Sequence, residues 1–109
     1  MFQVIKRDGA VVDFTLTKIN DVIRKAFDAT NMQYNNDIID LLALRVTADF
    51  QDKVKEGSVH VEDIQDSVEK VLEQAGYTEV AKAYILYRKQ REKMRNMKST
   101  ILDYKEVVN

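Results

Sequence analysis

The sequence predicts an α+β domain in which four amphipathic helices lie beneath a small sheet built on an N-terminal β-hairpin. Three observations lead to this fold class. The first fourteen residues carry a hairpin pattern, four later segments carry the hydrophobic period of a helix, and the 109-residue chain has no Pro and three Gly. A chain of this length has the usual size of a single domain. The sequence therefore indicates one domain.

The hairpin is predicted from two β-branched and aromatic runs, residues 2–5 and 11–14, that flank Asp8 and Gly9. Asp-Gly between such runs is typical of a type I′ turn, because both central residues of that turn need positive φ. With a two-residue turn, Arg7 pairs with Ala10. Adjacent residues of a strand point to opposite faces, so Lys6 and Arg7 are expected on different sides of the hairpin tip.

Helices are predicted over residues 17–29, 36–55, 61–75 and 79–98, where apolar residues recur at intervals of three and four. The first has Thr15 or Thr17 as its N-cap, and the third stops at Gly76. Residues 58–61, between the second and third helices, are expected to add one strand to the hairpin.

Composition excludes several classes of function. The chain has no Cys and a single His, which rules out disulfides, thiolate metal sites, Cys nucleophiles and multi-histidine metal sites within it. No metal site is therefore expected. We interpret His60 as a loop or strand-edge residue without a role, and Glu62 and Asp63 as dipole partners of the third helix, since neighbours on a helix diverge by about 100°. No signal peptide or membrane span is visible, so we expect a cytoplasmic protein without a membrane partner.

Charge is unevenly distributed although the net charge is −1. Residues 31–74 hold ten acids and four bases, whereas residues 79–98 hold seven bases and two acids. A solvated helix face explains such a run, and so does an anion site. Lys6, Arg7 and Lys18 add cations around the hairpin and the first turn of the first helix, where free backbone N–H groups also favour phosphate.

A set of residues then matches a known family. It comprises Val4-Ile5-Lys6-Arg7-Asp8-Gly9, Val12, Phe14, Lys18-Ile19, Ile23, Tyr84, Tyr87-Arg88 and Arg91. The chain resembles the ATP-cone, the allosteric nucleotide-binding domain found at the N-terminus of ribonucleotide reductases and in the repressor of their genes. The resemblance covers residues 3–95 and implies a four-helix bundle capped by a three-stranded sheet. Residues 1–98 are expected to form the cone, and residues 99–109 to begin a linker to a missing downstream domain.

The resemblance also implies site residues. The expected phosphate-binding residues are Lys6, Arg7, Lys18, Arg88 and Arg91. The expected base- and ribose-binding residues are Val4, Ile5, Ile19, Tyr84 and Tyr87. No catalytic residue is expected. The implied ligand is ATP or dATP as an allosteric effector, with Mg²⁺ held mainly by the phosphates.

Three positions depart from the pattern of class I reductases. That class carries an acidic residue where Val12 stands, and Thr and His where Val61 and Gln65 stand. The motif that begins at Ile64-Gln65-Asp66 is closer to that of anaerobic, class III reductases.

The resemblance implies a domain that is not itself catalytic. It would control the activity and oligomeric state of an anaerobic ribonucleoside-triphosphate reductase. Its partners would be adenine nucleotides, the catalytic domain of the same polypeptide and other cones, and no nucleic acid. One alternative is a nucleic-acid-binding module that uses the cationic fourth helix, and another is an inert interaction domain.

Overall fold

The computed structural model describes the backbone of residues 2–108 and the side chains of residues 2–94. The strands are β1 (Gln3–Ile5), β2 (Val11–Asp13) and β3 (Ser58–His60). The helices are α1 (Leu16–Ala29), α2 (Asn36–Asp49), α3 (Val61–Gln74) and α4 (Thr78–Val108). The predicted α+β class, with four helices and a small sheet, is confirmed. No helix in this described part is both long and apolar enough to cross a membrane.

The sheet has the order β2-β1-β3, and β1 is its central strand. β1 runs antiparallel to β2 and parallel to β3, with Val4 opposite both Val12 and Val59. The expected third strand is therefore confirmed. Val4 and Val59 are buried, so this face of the sheet packs on the helices.

The hairpin register differs by one residue from the predicted one. Ile5 pairs with Val11, and the Lys6 N–H donates to the carbonyl of Ala10 at 2.8 Å. The turn consists of Arg7, Asp8 and Gly9. Only Gly9 of these has positive φ, at 89°, and its N–H donates to the Lys6 carbonyl. This is a type I turn followed by a glycine bulge, and the prediction of a two-residue type I′ turn was wrong.

The carboxylate of Asp8 explains why the longer turn is stable. Its Oδ1 accepts from the Ala10 N–H at 2.9 Å. This short-range bond is typical of Asp in turns and lets Asp8 keep negative φ, while Gly9 alone takes the left-handed conformation.

Helix α2 ends earlier than its hydrophobic pattern predicts. It stops at Asp49, and a short 3₁₀ turn over Gln51–Lys53 follows, where the sequence suggested helix to residue 55. Phe50 lies at the break and is fully buried. Its ring contacts Phe2 and Phe14 at centroid distances of 5.6 and 5.7 Å. Packing of this aromatic trio turns the chain towards β3, and tertiary contact overrides helix propensity.

Helix α4 is buried in its first turns and exposed later. Val80, Ala81 and Tyr84 belong to the core, whereas residues 89–94 are exposed on every side. The helix continues to Val108, beyond its predicted end near Lys98. The side chains of residues 95–109, which include the predicted linker 99–109, lie outside the described part. Where side chains are described, α4 thus emerges from the domain after Arg88.

Candidate functional site

A cavity of about 180 Å³ opens between the inner face of the sheet and helices α1, α3 and α4. Its walls are mainly apolar. The hairpin contributes Val4, α1 contributes Ile19, α3 contributes Ile64 and Val68, and α4 contributes Tyr84. The apolar period of each element directs these side chains to one place, so the cavity follows from the same pattern that forms the core.

Two lysines line this mainly apolar cavity. Lys6 follows β1 on the same face as Val4, since side chains two apart in a strand share a face. Lys18 lies in the first turn of α1 and reaches the cavity from the other side. Within the described lining, Asp13 is the one acidic residue. The lysines therefore give the cavity a local excess of positive charge.

The N-terminus of α1 also faces this cavity. Thr15 is the N-cap residue and lines the cavity, but its side chain makes no capping hydrogen bond, and the first turn of α1 holds no acid. By contrast, Asn35 caps α2 by accepting from the Ile38 N–H, and α3 has Glu62 in its first turn. The first N–H groups of α1 and their partial positive charge thus have no side-chain partner here.

The structure brings together five of the ten predicted site residues. Val4, Lys6, Lys18, Ile19 and Tyr84 all line the cavity. Burial raises the pKa of the Tyr84 hydroxyl above its usual value, so this side chain stays a neutral phenol at physiological pH. It presents an aromatic face and an O–H group rather than a charge.

Arg7 and Arg88 lie outside this cavity, in a neighbouring depression between α3 and α4. The Arg7 guanidinium lies 3.4 Å from Glu62 and 3.6 Å from Glu92. Arg88 donates from Nη1 to Asp66 at 2.8 Å and to Glu69 at 3.0 Å. Desolvation opposes the charge of Arg88, but these two hydrogen bonds outweigh it and raise its pKa. Both arginines are thus engaged by carboxylates of the domain.

Ile5, Tyr87 and Arg91 also lie away from the cavity. Ile5 points to the other face of β1 and lines a depression beside His60. Tyr87 lines a groove between α1 and α4. Arg91 donates to the Tyr87 hydroxyl at 3.1 Å, and its guanidinium carbon lies 5.8 Å from that ring centroid. The two side chains therefore form a cation–π pair within α4.

Several lining residues were not predicted as site residues. Val12, Val61 and Gln65 line the cavity. These are the three positions at which the sequence departs from class I reductases, so that comparison held a usable signal. The sequence pattern marked Thr15 only as a candidate N-cap and Ile64 only as a core residue.

The two adjacent acids at the start of α3, Glu62 and Asp63, form ion pairs. Glu62 contacts Arg7, and Asp63 lies 3.8 Å from Lys53. Both belong to the first turn of α3, as the dipole interpretation predicted. Among residues 2–94, no group of three or more His, Asp or Glu side chains is placed to hold a metal ion.

Comparison with known proteins identifies the family. Residues 2–93 match the family described as "ATP cone domain". The chain is 41% identical over 99 residues to the ribonucleoside-diphosphate reductase subunit alpha of Chlamydia pneumoniae, a match that covers 84% of this chain and 9% of that protein. It is 34% identical over 103 residues to the anaerobic ribonucleoside-triphosphate reductase of Haemophilus influenzae, covering 92% of this chain and 14% of the relative.

The name of a third relative includes a cofactor, vitamin B12. The vitamin B12-dependent ribonucleoside-diphosphate reductase of Thermoplasma acidophilum is 41% identical over 101 residues, which cover 88% of this chain and 13% of that protein. The chain thus spans a small fraction of each relative's length, and it is a regulatory domain rather than a catalytic one. Neither the family nor these relatives support the nucleic-acid-binding alternative. The family match covers nearly the whole chain, and the fold is a helical bundle capped by a three-stranded sheet, so the chain belongs to the ATP-cone family.

Proposed function

We propose that this domain binds ATP or dATP in the cavity between the sheet and helices α1, α3 and α4. One observation carries the proposal. Lys6, Lys18 and the uncapped N-terminus of α1 meet at an apolar cavity. An apolar recess beside a concentrated positive charge suits a ligand with a flat base at one end and a polyanion at the other.

The base occupies the apolar part of the cavity in this proposal. Val4 and Ile19 contact its faces, and Tyr84 offers a ring for stacking. Val4, Ile19 and Tyr84 are 8%, 5% and 4% exposed, so these side chains have little conformational freedom left to lose on binding. Apolar walls of this kind select a ligand by its shape. Selection of adenine over guanine depends on polar groups that contact the edge of the base.

The phosphates lie against Lys6, Lys18 and the first N–H groups of α1. Lysine supplies a compact charge with three donors, and a helix N-terminus adds oriented N–H groups to the same anion. Mg²⁺ is held mainly by the phosphates, with Asp13 as the carboxylate in the cavity lining. A contact with nucleotide stays a prediction for five residues that lie outside the cavity, namely Arg7, Arg88, Arg91, Ile5 and Tyr87.

The proposed role is allosteric. As part of a longer ribonucleotide reductase, the domain would sense ATP or dATP, control the oligomeric state, and thereby set the activity of a catalytic region in the same polypeptide. We propose the anaerobic class. The Ile64-Gln65-Asp66 motif supports it, and an anaerobic reductase is among the relatives, beside diphosphate reductases of higher identity.

Calorimetric titration with ATP, dATP and GTP tests the site. Lys6→Ala and Lys18→Ala each remove a charge-assisted contact worth about 1.5 to 3 kcal/mol, which corresponds to a roughly 10- to 100-fold loss of affinity. Lys93→Ala is the matched control, because Lys93 is exposed on the emerging part of α4. If all three variants bind alike, the cavity is not the phosphate site.

The class and the oligomeric role need the full-length polypeptide. Reduction of CTP but not CDP would support the anaerobic triphosphate class, and the reverse result would contradict it. Light scattering with ATP and then with dATP tests oligomer control, for which we expect different masses with the two effectors.

A further inference from the structure

Arg7 connects the hairpin turn to two helices at once. Its Nε lies 3.4 Å from the Glu62 carboxylate on α3, and its Nη1 lies 3.6 Å from the Glu92 carboxylate on α4. Within the described side chains, Arg7 is the one residue of the sheet and its turn that forms an ion pair with α4. Glu92 belongs to the emerging part of α4, in which the described side chains, those of residues 89–94, are exposed on every side. Arg7 therefore tethers that part of the helix to the sheet.

The same guanidinium lies at the edge of the nucleotide cavity. Its Nη2 donates to Oε1 of Gln65 at 3.3 Å, and Gln65 lines the cavity. The preceding residue, Lys6, also lines the cavity. Lys6 and Arg7 together line a further depression of about 250 Å³ beside the start of α3. Arg7 therefore lies next to the lysine at which we propose that the phosphates bind.

The present partners of Arg7 are weak competitors for it. The side chains of Glu62 and Glu92 are 57% and 52% exposed, so water and salt screen both ion pairs. Nucleotide phosphates carry more charge than one carboxylate and accept a bidentate guanidinium. A polyanion in the cavity therefore outcompetes two exposed carboxylates for the same cation.

We propose that Arg7 is an exchangeable tether: without nucleotide it holds Glu62 and Glu92, and with nucleotide it turns to the phosphates and releases the emerging part of α4. This inference rests on the proposed nucleotide site and adds its coupling to α4. Glu62 and Glu92 act as positioning residues that oppose binding. The emerging part of α4 then loses the ion pair that Glu92 forms with Arg7.

The first test is a titration with ATP. Glu62→Gln with Glu92→Gln removes both competitors and should tighten ATP binding by about 3- to 10-fold, given the usual strength of exposed ion pairs. In an Arg7→Ala background, the same pair of substitutions should leave affinity unchanged. Glu73→Gln with Glu79→Gln is the matched control, since these exposed acids also lie on α3 and α4 and give the same change of net charge.

The outcomes separate the tether from the site itself. If wild type fails to bind ATP, or if Lys6→Ala binds as wild type does, the proposed function fails. If Lys6→Ala is weakened but the Glu62 and Glu92 double variant binds no tighter than the Glu73 and Glu79 control, the tether is overturned and the site stands. Tightening that persists without Arg7 also overturns the tether, because it reflects charge repulsion alone.

The second test measures the position of α4. The chain has no Cys, so Ala10→Cys with Lys93→Cys allows a pair of spin labels on the hairpin and on the emerging helix. Saturating ATP should shift the distance distribution between the labels. The Glu62 and Glu92 double variant should show the shifted distribution without ATP. A distribution that is the same with and without ATP overturns the release of α4.

Discussion

At the scale of single residues, Arg88 is a cation predicted to bind phosphate that also links two helices of the domain. Its side chain is 18% exposed and binds Asp66 and Glu69 of α3 from α4. The guanidinium therefore links α4 to α3. A phosphate contact at Arg88 would compete with two hydrogen bonds at 3.0 Å or less.

Replacing Arg88 with Met should destabilise the fold by about 1 to 3 kcal/mol, since the stem is kept while Glu69, 26% exposed, loses its partner. Urea denaturation measures this. Lys82→Met is the control on the same helix, because its pair with Glu79 is exposed on both sides, and it should change stability by less than about 0.5 kcal/mol. Equal effects of the two variants would contradict the assignment.

Asp49 is a second residue with a defined electrostatic role. Its carboxylate accepts a hydrogen bond from Ser67 and lies 3.1 Å from Lys70, both on α3. The Ser67 hydrogen bond, more than the nearby lysines, holds the pKa of Asp49 below its usual value, while partial burial opposes the shift. A pKa lowered by folding means that the ionised carboxylate stabilises the fold above its usual pKa, and that this contribution is lost as pH falls through the folded pKa.

Ser67→Ala should therefore raise the pKa of Asp49 towards its ordinary value of about 3.9. Carboxyl NMR titration measures the shift. Wild type should be more stable than the variant at pH 7 by about 1 kcal/mol, the usual net value of one hydrogen bond. The difference should shrink as the pH falls below about 4. A difference that grows in acid would show that Ser67 acts through packing instead.

At the scale of elements, the N-terminus of α1 lacks a side-chain cap, which makes this helix less stable than a capped one. Thr15→Asn and Thr15→Asp should each stabilise the domain by about 0.5 to 2 kcal/mol if the new side chain caps α1. Thr15→Asp should also weaken ATP binding, since it adds a negative charge where phosphate is proposed to lie, whereas Thr15→Asn adds none. Thermal unfolding and titration of both variants check this. Equal affinity of the two variants would place the phosphates elsewhere.

The elements differ in how well the sequence predicts them. Helix α3 follows its apolar period closely, because Ile64, Val68 and Leu72 face one core. Gly76 ends it through a Schellman motif, in which the Tyr77 N–H donates to the Leu72 carbonyl. The end of α2 was missed, because the packing of Phe50 on two distant rings is a tertiary effect. The hairpin register was missed because Asp-Gly suits both a two-residue turn and a longer turn with a bulge.

Half of the predicted site residues line the cavity, and the local sequence pattern explains which half. Strand alternation separates Val4 from Ile5, and it places Lys6 on the face of Val4. The carboxylates that engage Arg7 come from α3 and α4, so their positions depend on helix packing that no local pattern contains. The apolar residues that line the cavity, such as Val4 and Ile19, are therefore ones that the local period already directs inward.

At the scale of the whole molecule, nucleotide binding should raise thermal stability. A ligand at about 100 times its dissociation constant adds about 2.7 kcal/mol to the free energy of unfolding. For a domain of this size that corresponds to a rise on the order of ten degrees in Tm. Differential scanning calorimetry with ATP, dATP and GTP measures it, and GTP should act much less. Equal rises with all three would indicate attraction of phosphate alone.

The parallel pairing of β1 with β3 places Gln3 beside Ser58, so α1 and α2 lie between the two strands along the chain. Closing such a long loop is costly in chain entropy, and pairs of this kind form late in folding. We therefore expect the contact between β1 and β3, and with it the closed wall of the cavity, to form after the helices. Nucleotide should therefore slow unfolding while leaving the folding rate almost unchanged, since the transition state has no completed site to bind it.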